Sequence, residues 1–154
     1  MKKYYLLYVV LLISSCRVNE RAIVYGSDEC EHCKMLIMDK RYGSEIVTSK
    51  GKVYTFDSVE CLIEFIYENE DSGMDASTLL VTSYTDPGRL IDAKTASFLI
   101  SGQMPSPMGA FLTAFSDYKV AKEFYSSSGG YLYTWEELIK NFKEIKLKAI
   151  KEFD

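Results

Sequence analysis

The chain has one histidine, one tryptophan and three prolines among its 154 residues. One histidine leaves no material for a zinc corner built on paired histidines, and Cys-x-x-Cys occurs only once, so a zinc ribbon is short of ligands. Basic residues are not in excess: the net charge is −4 and the sequence pI about 5.1. No field exists to neutralise phosphates, which excludes free nucleic acid as a partner class. The uncharged apolar run Tyr4–Ile13 is ten residues long, against roughly 20 for a bilayer-spanning helix. What remains is an ordinary globular composition, 47% hydrophobic and 26% charged. It is enough for one domain with a core that needs no disulfide staples.

The short apolar run has a role of its own. It follows a cationic start, Met1-Lys2-Lys3, and so reads as an export signal. It ends in Ile13-Ser14-Ser15-Cys16. That order, aliphatic, small, small, cysteine, resembles a bacterial lipobox, which implies cleavage before Cys16 and its acylation. The protein is then exported and lipid-anchored to a bacterial membrane, facing the periplasm or the cell exterior. The alternative is a plain signal peptide with an incidental cysteine. Three domains of sequence follow: a lipoprotein signal over 1–16, a tether over 17–28 and a folded unit over 29–154.

Cleavage leaves Cys30, Cys33 and Cys61 beside the lipidated cysteine. An odd number of thiols cannot all pair within the chain, and a free thiol outside the cytoplasm is better tolerated when buried or bound to metal. The chemistry concentrates in Glu29-Cys30-Glu31-His32-Cys33-Lys34-Met35. A zinc site lacks its remaining ligands. A thioredoxin-like redox pair needs a long helix starting at the cysteines, but the residues after Cys33 read as a strand and a turn. A Cys30–Cys33 disulfide gives Met35 no role. A thiophilic ion such as Cu(I) uses all three sulfurs, since thiolate and thioether are soft donors. Met104 and Met108 lie among prolines and glycines in 101–109, a poor place for core filler, and are further candidates. Cys61 offers one more sulfur. His32 is also a candidate, although its ring lies between the cysteines, where it is free to point away from a shared ion.

The rest of the chain predicts an α+β fold of small antiparallel sheets and helices. Strands are expected at 22–25 and within 35–39, and a hairpin over about 44–56. A helix capped by Asp57 or Ser58 follows, then strands in 78–84, 90–100 and 110–115. A second helix starts at Ser116 or Asp117 and stops at Gly129-Gly130. A short strand then leads to a last helix opened by a Thr134–Glu137 capping box. Lys52–Ile66 and Ala110–Tyr125 echo each other as strand, Asp/Ser cap and helix, which suggests two similar β-β-α-β units.

These residues resemble a family. Cys30–Met35 is similar to the C-x-x-C-G-M signature of NosL, copper-binding lipoproteins accessory to nitrous oxide reductase, with Lys34 in place of the glycine. Phe56-Asp57 and its helix, Ile91-Asp92-Ala93 with Ala96-Ser97-Phe98, Met108-Gly109 with Ala110-Phe111, and Phe124 with Gly129-Gly130 fall in the family's order. The resemblance implies a fold like the C-terminal part of organomercurial lyase and Cu(I) held by Cys30, Cys33 and Met35, with Met108 secondary. It also implies delivery of copper to nitrous oxide reductase with a membrane-bound ABC-type maturation complex. Such a protein breaks no substrate bond and is not an enzyme. The rival expectations are a membrane-tethered thiol–disulfide oxidoreductase using Cys30 and Cys33, and a general soft-metal scavenger.

Overall fold

A computed structural model describes residues 20–153; the signal and the Cys16 lipobox lie outside the described residues. Seven strands form two antiparallel sheets. The first holds β1 (Ser44–Val47), β2 (Val53–Phe56), β3 (Thr78–Thr82) and β4 (Leu90–Asp92) in the order β2-β1-β3-β4. The second holds β5 (Ser97–Ile100), β6 (Leu112–Phe115) and β7 (Tyr131–Tyr133) in the order β6-β5-β7. Helices α1 (Val59–Glu68) and α2 (Tyr118–Ser128) follow β2 and β6, and α3 (Trp135–Phe153) closes the chain.

The expected repeat is present. In each unit two strands form a hairpin, a helix follows, and the next strand returns to the far side of the first. The capping geometry repeats as well. Ser58 (φ −156°, ψ 167°) accepts the N–H of Cys61, and Asp117 (φ −155°, ψ 163°) accepts that of Val120. Each cap stands two residues after the last phenylalanine of its strand, Phe56 or Phe115. An extended residue with a side-chain oxygen satisfies an orphan donor of the first helical turn, worth about 1 kcal/mol.

The core sits between the units. Ile46, Phe56, Leu62 and Ile63 of the first pack with Phe98, Ile100 and Leu112 of the second and with Trp135, Leu138 and Phe142 of α3. Strand β5 is buried on both faces. Phe98 and Ile100 face this core while Leu99 joins Met104, Phe115 and Ala121 beneath α2, as alternation along a strand requires. The capping box of α3 forms: the Thr134 N–H donates to Glu137 Oε2 at 2.7 Å and the Glu137 N–H to Thr134 Oγ1 at 3.3 Å.

Two expected strands differ. Residues 22–25 run into a turn, because the Asp28 carboxylate takes the Val24 N–H at 2.7 Å and the Val24 carbonyl accepts the N–H groups of Ser27 and Asp28. Ile23 is already buried in the core. The stretch 35–39 makes one isolated bridge, Glu29↔Leu36, since Lys34 at φ 63° turns the chain sharply just before it.

Candidate metal centre

The loop 29–36 is fixed at both ends. The Cys30 N–H donates to the Met35 carbonyl at 2.8 Å and the Lys34 N–H to the Cys30 carbonyl at 2.9 Å. The Glu31 N–H donates to the Thr55 carbonyl at 2.8 Å, and Thr55 Oγ1 to the Glu29 carbonyl at 3.2 Å. These last two bonds seat the loop on β2, whose next residues are Asp57 and the start of α1. That start is itself anchored, with Ser44 Oγ donating to the Ser58 carbonyl at 2.8 Å in the interior.

Three thiols and a carboxylate meet as a result. The sulfurs of Cys30, Cys33 and Cys61 and a carboxylate oxygen of Asp57 all lie within 4.8 Å of one another. Cys30, Cys61 and Asp57 are buried, while Cys33 is half-buried, so the cluster opens to solvent on the Cys33 side. Asp57 Oδ1 has no hydrogen-bond partner. Three sulfurs are a soft donor set that fits a thiophilic cation, and the unpaired buried carboxylate oxygen beside them favours positive charge there.

The thiols are unequal. A hydrogen bond from the Cys61 thiol, with the N–H groups of Cys33 and Asp57, outweighs burial and lowers Cys30 to about 6. Burial, reinforced by the neighbouring Cys30 thiolate, pushes Cys33 up to about 11. Cys61 moves far up because it donates its proton to Cys30 and is buried. The cluster thus favours one thiolate, at Cys30, and two thiols.

The other candidates are placed as follows. Met35 borders the loop with its side chain half exposed (49%). Met104 is buried with Leu99, Phe115 and Ala121, and its sulfur lies 3.9 Å from Ser128 Oγ. Met108 packs, partly buried, on the core that contains Cys30 and Cys61. His32 turns away from the sulfurs: its Nε2 lies 3.0 Å from Glu64 and its Nδ1 3.1 Å from Glu68, both on α1. The sequence reading treated Asp57 only as a cap. The signal that marks it is its place directly before the N-cap Ser58, where the extended chain turns into the helix start that carries Cys61.

A family model described as NosL matches residues 22–142. A curated relative, the copper-binding lipoprotein NosL of Stutzerimonas stutzeri, is 28% identical over 125 residues, covering 77% of this chain. The chain spans about two thirds (66%) of that relative's length. The crystal structure of the copper chaperone NosL from Shewanella denitrificans superposes with a TM-score of 0.65 at 26% identity. That match covers 79% of this chain and 96% of the other. Among the described residues no helix is long and apolar enough to cross a membrane.

Proposed function

The chain belongs to the NosL family, and we propose that it is a membrane-anchored carrier of Cu(I) that delivers copper for the maturation of nitrous oxide reductase. Cys30, Cys33 and Cys61 hold the ion as thiolates, Asp57 stands beside them as a buried carboxylate, and the half-exposed Met35 borders the loop. One observation carries this reading: three sulfurs and an unpaired buried carboxylate within 4.8 Å, open on one side. Cu(I) is satisfied by two or three sulfurs, so an acceptor sulfur or nitrogen arriving at Cys33 enters before a donor leaves. Anchoring through acylated Cys16 raises the local concentration near a membrane-bound ABC-type partner.

The rival reading, thiol–disulfide exchange, fits less well. A redox nucleophile is a low-pKa thiol that is also accessible. Here the thiol lowered to about 6 is the buried Cys30, and the reachable Cys33 is raised to about 11.

The test is an anaerobic Cu(I) titration of the reduced soluble domain against a chromophoric chelator. It is repeated on Cys33→Ala, Cys61→Ser and Met35→Ala. Loss of a thiolate weakens binding at least about tenfold, whereas Met35→Ala mainly changes the rate of transfer. Stoichiometric binding that survives Cys61→Ser unchanged would remove Cys61 from the site, and absence of binding would end the copper assignment.

A further inference from the structure

We infer that His32 is a positioning residue for the metal loop: clamped by Glu64 and Glu68, it holds the Cys30–Cys33 turn over Cys61. This deepens the proposed function and rests on it. A carboxylate oxygen stands beside each ring nitrogen: Nδ1 hydrogen-bonds Glu68 at 3.1 Å, and Nε2 lies 3.0 Å from Glu64. The ring is thereby turned to the carboxylates of α1 and away from the sulfurs. The two carboxylates are one helical turn apart on α1, so they grip the ring from opposite ends. Glu64 is braced in turn by Lys146 of α3, 2.5 Å from its other oxygen. The chain of contacts runs from α3 through α1 to the residue between the two loop cysteines.

The geometry explains why the clamp matters for the thiols. Cys61 sits on α1, one turn before Glu64 and two before Glu68. The loop cysteines are bound to α1 by nothing covalent, and the loop's backbone bonds outside itself go to Thr55 on β2. Beside the Cys61–Cys30 thiol contact itself, His32 ties this loop to the same helix that carries the third sulfur. It lies at a groove of about 400 Å³ with Tyr67 and Lys143, three-quarters or more shielded from solvent. A contact at a fully exposed site is worth little, and Glu68 is 62% exposed, but His32 and Glu64 are largely shielded, at 18% and 26%, and hold the ring in one orientation. Groups of this kind, one step out from metal ligands, typically change affinity 10- to 100-fold when removed.

The experiment uses the reduced soluble domain and three variants: His32→Ala, Glu64→Gln and Glu68→Gln. Two readouts are taken. One is Cu(I) affinity by chelator competition. The other needs no metal: the rate at which diamide joins Cys30 to Cys61 in the Cys33→Ser background. The expected result is a 10- to 100-fold loss of affinity for His32→Ala and a smaller loss for each glutamate variant, with several-fold slower cross-linking throughout. In the His32→Ala background the glutamate changes have no further effect. A direct ligand role for His32 predicts the opposite for the glutamates, because freeing the ring would leave affinity unchanged or raise it; that outcome overturns the inference. Unchanged cross-linking in all three variants overturns it as well. If the parent domain binds no Cu(I), the copper reading falls while the cross-linking rates still decide the clamp. Thermal unfolding of each metal-free variant separates a displaced loop from a misfolded domain.

Discussion

Replacing Lys34 by glycine, and separately by alanine, isolates the backbone of the metal loop. Lys34 stands at φ 63° between Cys33 and Met35, in the left-handed region that costs an L-residue about 1–2 kcal/mol. Its ammonium lies 3.5 Å from Glu31 with the side chain 65% exposed, a pair worth about 0–0.5 kcal/mol. Lys34 is not among the groups that lower Cys30. Both substitutions remove the charge, so their difference reports the Cβ alone. Glycine sheds the strain and gives back about 0.4–1 kcal/mol through the freedom of its unfolded chain. Alanine keeps the strain. The glycine variant is therefore expected to be more stable than the alanine variant by about 1 kcal/mol, a difference of about 3–5 °C in Tm for a domain of this size. It should exceed the parent, which has the same Cβ but also the Glu31 pair, by about 0.5–1 kcal/mol and keep its Cu(I) affinity. The assay is thermal and urea unfolding of the reduced, metal-free domain. An alanine variant at least as stable as the glycine variant would refute a left-handed residue at 34.

The remaining predictions concern the frame. Glu45 is buried in β1 with neither carboxylate oxygen paired, and burial, only partly offset by Arg21, raises it from 4.5 to about 7. The stability this group permits is full below about pH 4.5 and is lost as pH rises through about 7, at a cost of about 1–3 kcal/mol after solvent screening. Glu45→Gln should flatten that loss in urea unfolding at pH 5 and pH 8, and equal losses in parent and variant would count against it. Gly130 (φ +106°) packs so tightly that a Cβ would lie 2.0 Å from the Ile100 carbonyl oxygen, whereas Gly129 (φ +65°) has open space. Gly130→Ala should cost about 3 kcal/mol or more by breaking the β5–β7 pairing, and Gly129→Ala, which meets only backbone strain, less, about 1–3 kcal/mol; similar melting temperatures would contradict the packing.

What the sequence made legible was local. The hairpin, the caps at Ser58 and Asp117, the Gly129-Gly130 stop and the Thr134–Glu137 box all rest on neighbours within a few residues, and all are found. The segment 20–40 was harder to read because side chains and a distant strand set its shape: Asp28 bends residues 24–28, and Thr55 holds the loop. The same holds for the site. Cys30 and Cys33 announce themselves by spacing, but Cys61 and Asp57 join them only through β2 and the α1 start, 24 or more residues on. Methionine carries no pattern that separates ligand from filler. Met104 and Met108 share one loop, yet one thioether is buried under α2 and the other borders the main core. His32, the single histidine beside two cysteines, invites a ligand assignment that only the positions of Glu64 and Glu68 redirect.

The repeat shows what the site requires beyond a helix start. In the first unit Phe56 is followed by Asp57, the cap Ser58 and, three residues later, Cys61. In the second Phe115 is followed by Ser116, the cap Asp117 and, three residues later, Val120. The cap angles agree within a few degrees, so both helices offer the same N-terminal dipole and the same ring of N–H groups. Yet the second start packs Val120 against Leu99, Met104 and Phe115. The dipole alone therefore does not create a thiol centre. What differs is the loop 29–36, which Glu31 and Thr55 lay on β2 and which the second unit has no counterpart for. Placing a cysteine at Val120 would bring one thiol to a helix start whose neighbouring cluster offers the Met104 thioether but no second thiol among the described residues. The metal centre is thus a property of the loop seated on the frame, and the contacts that seat it, through β2 and through His32, are as necessary to its geometry as the three sulfurs.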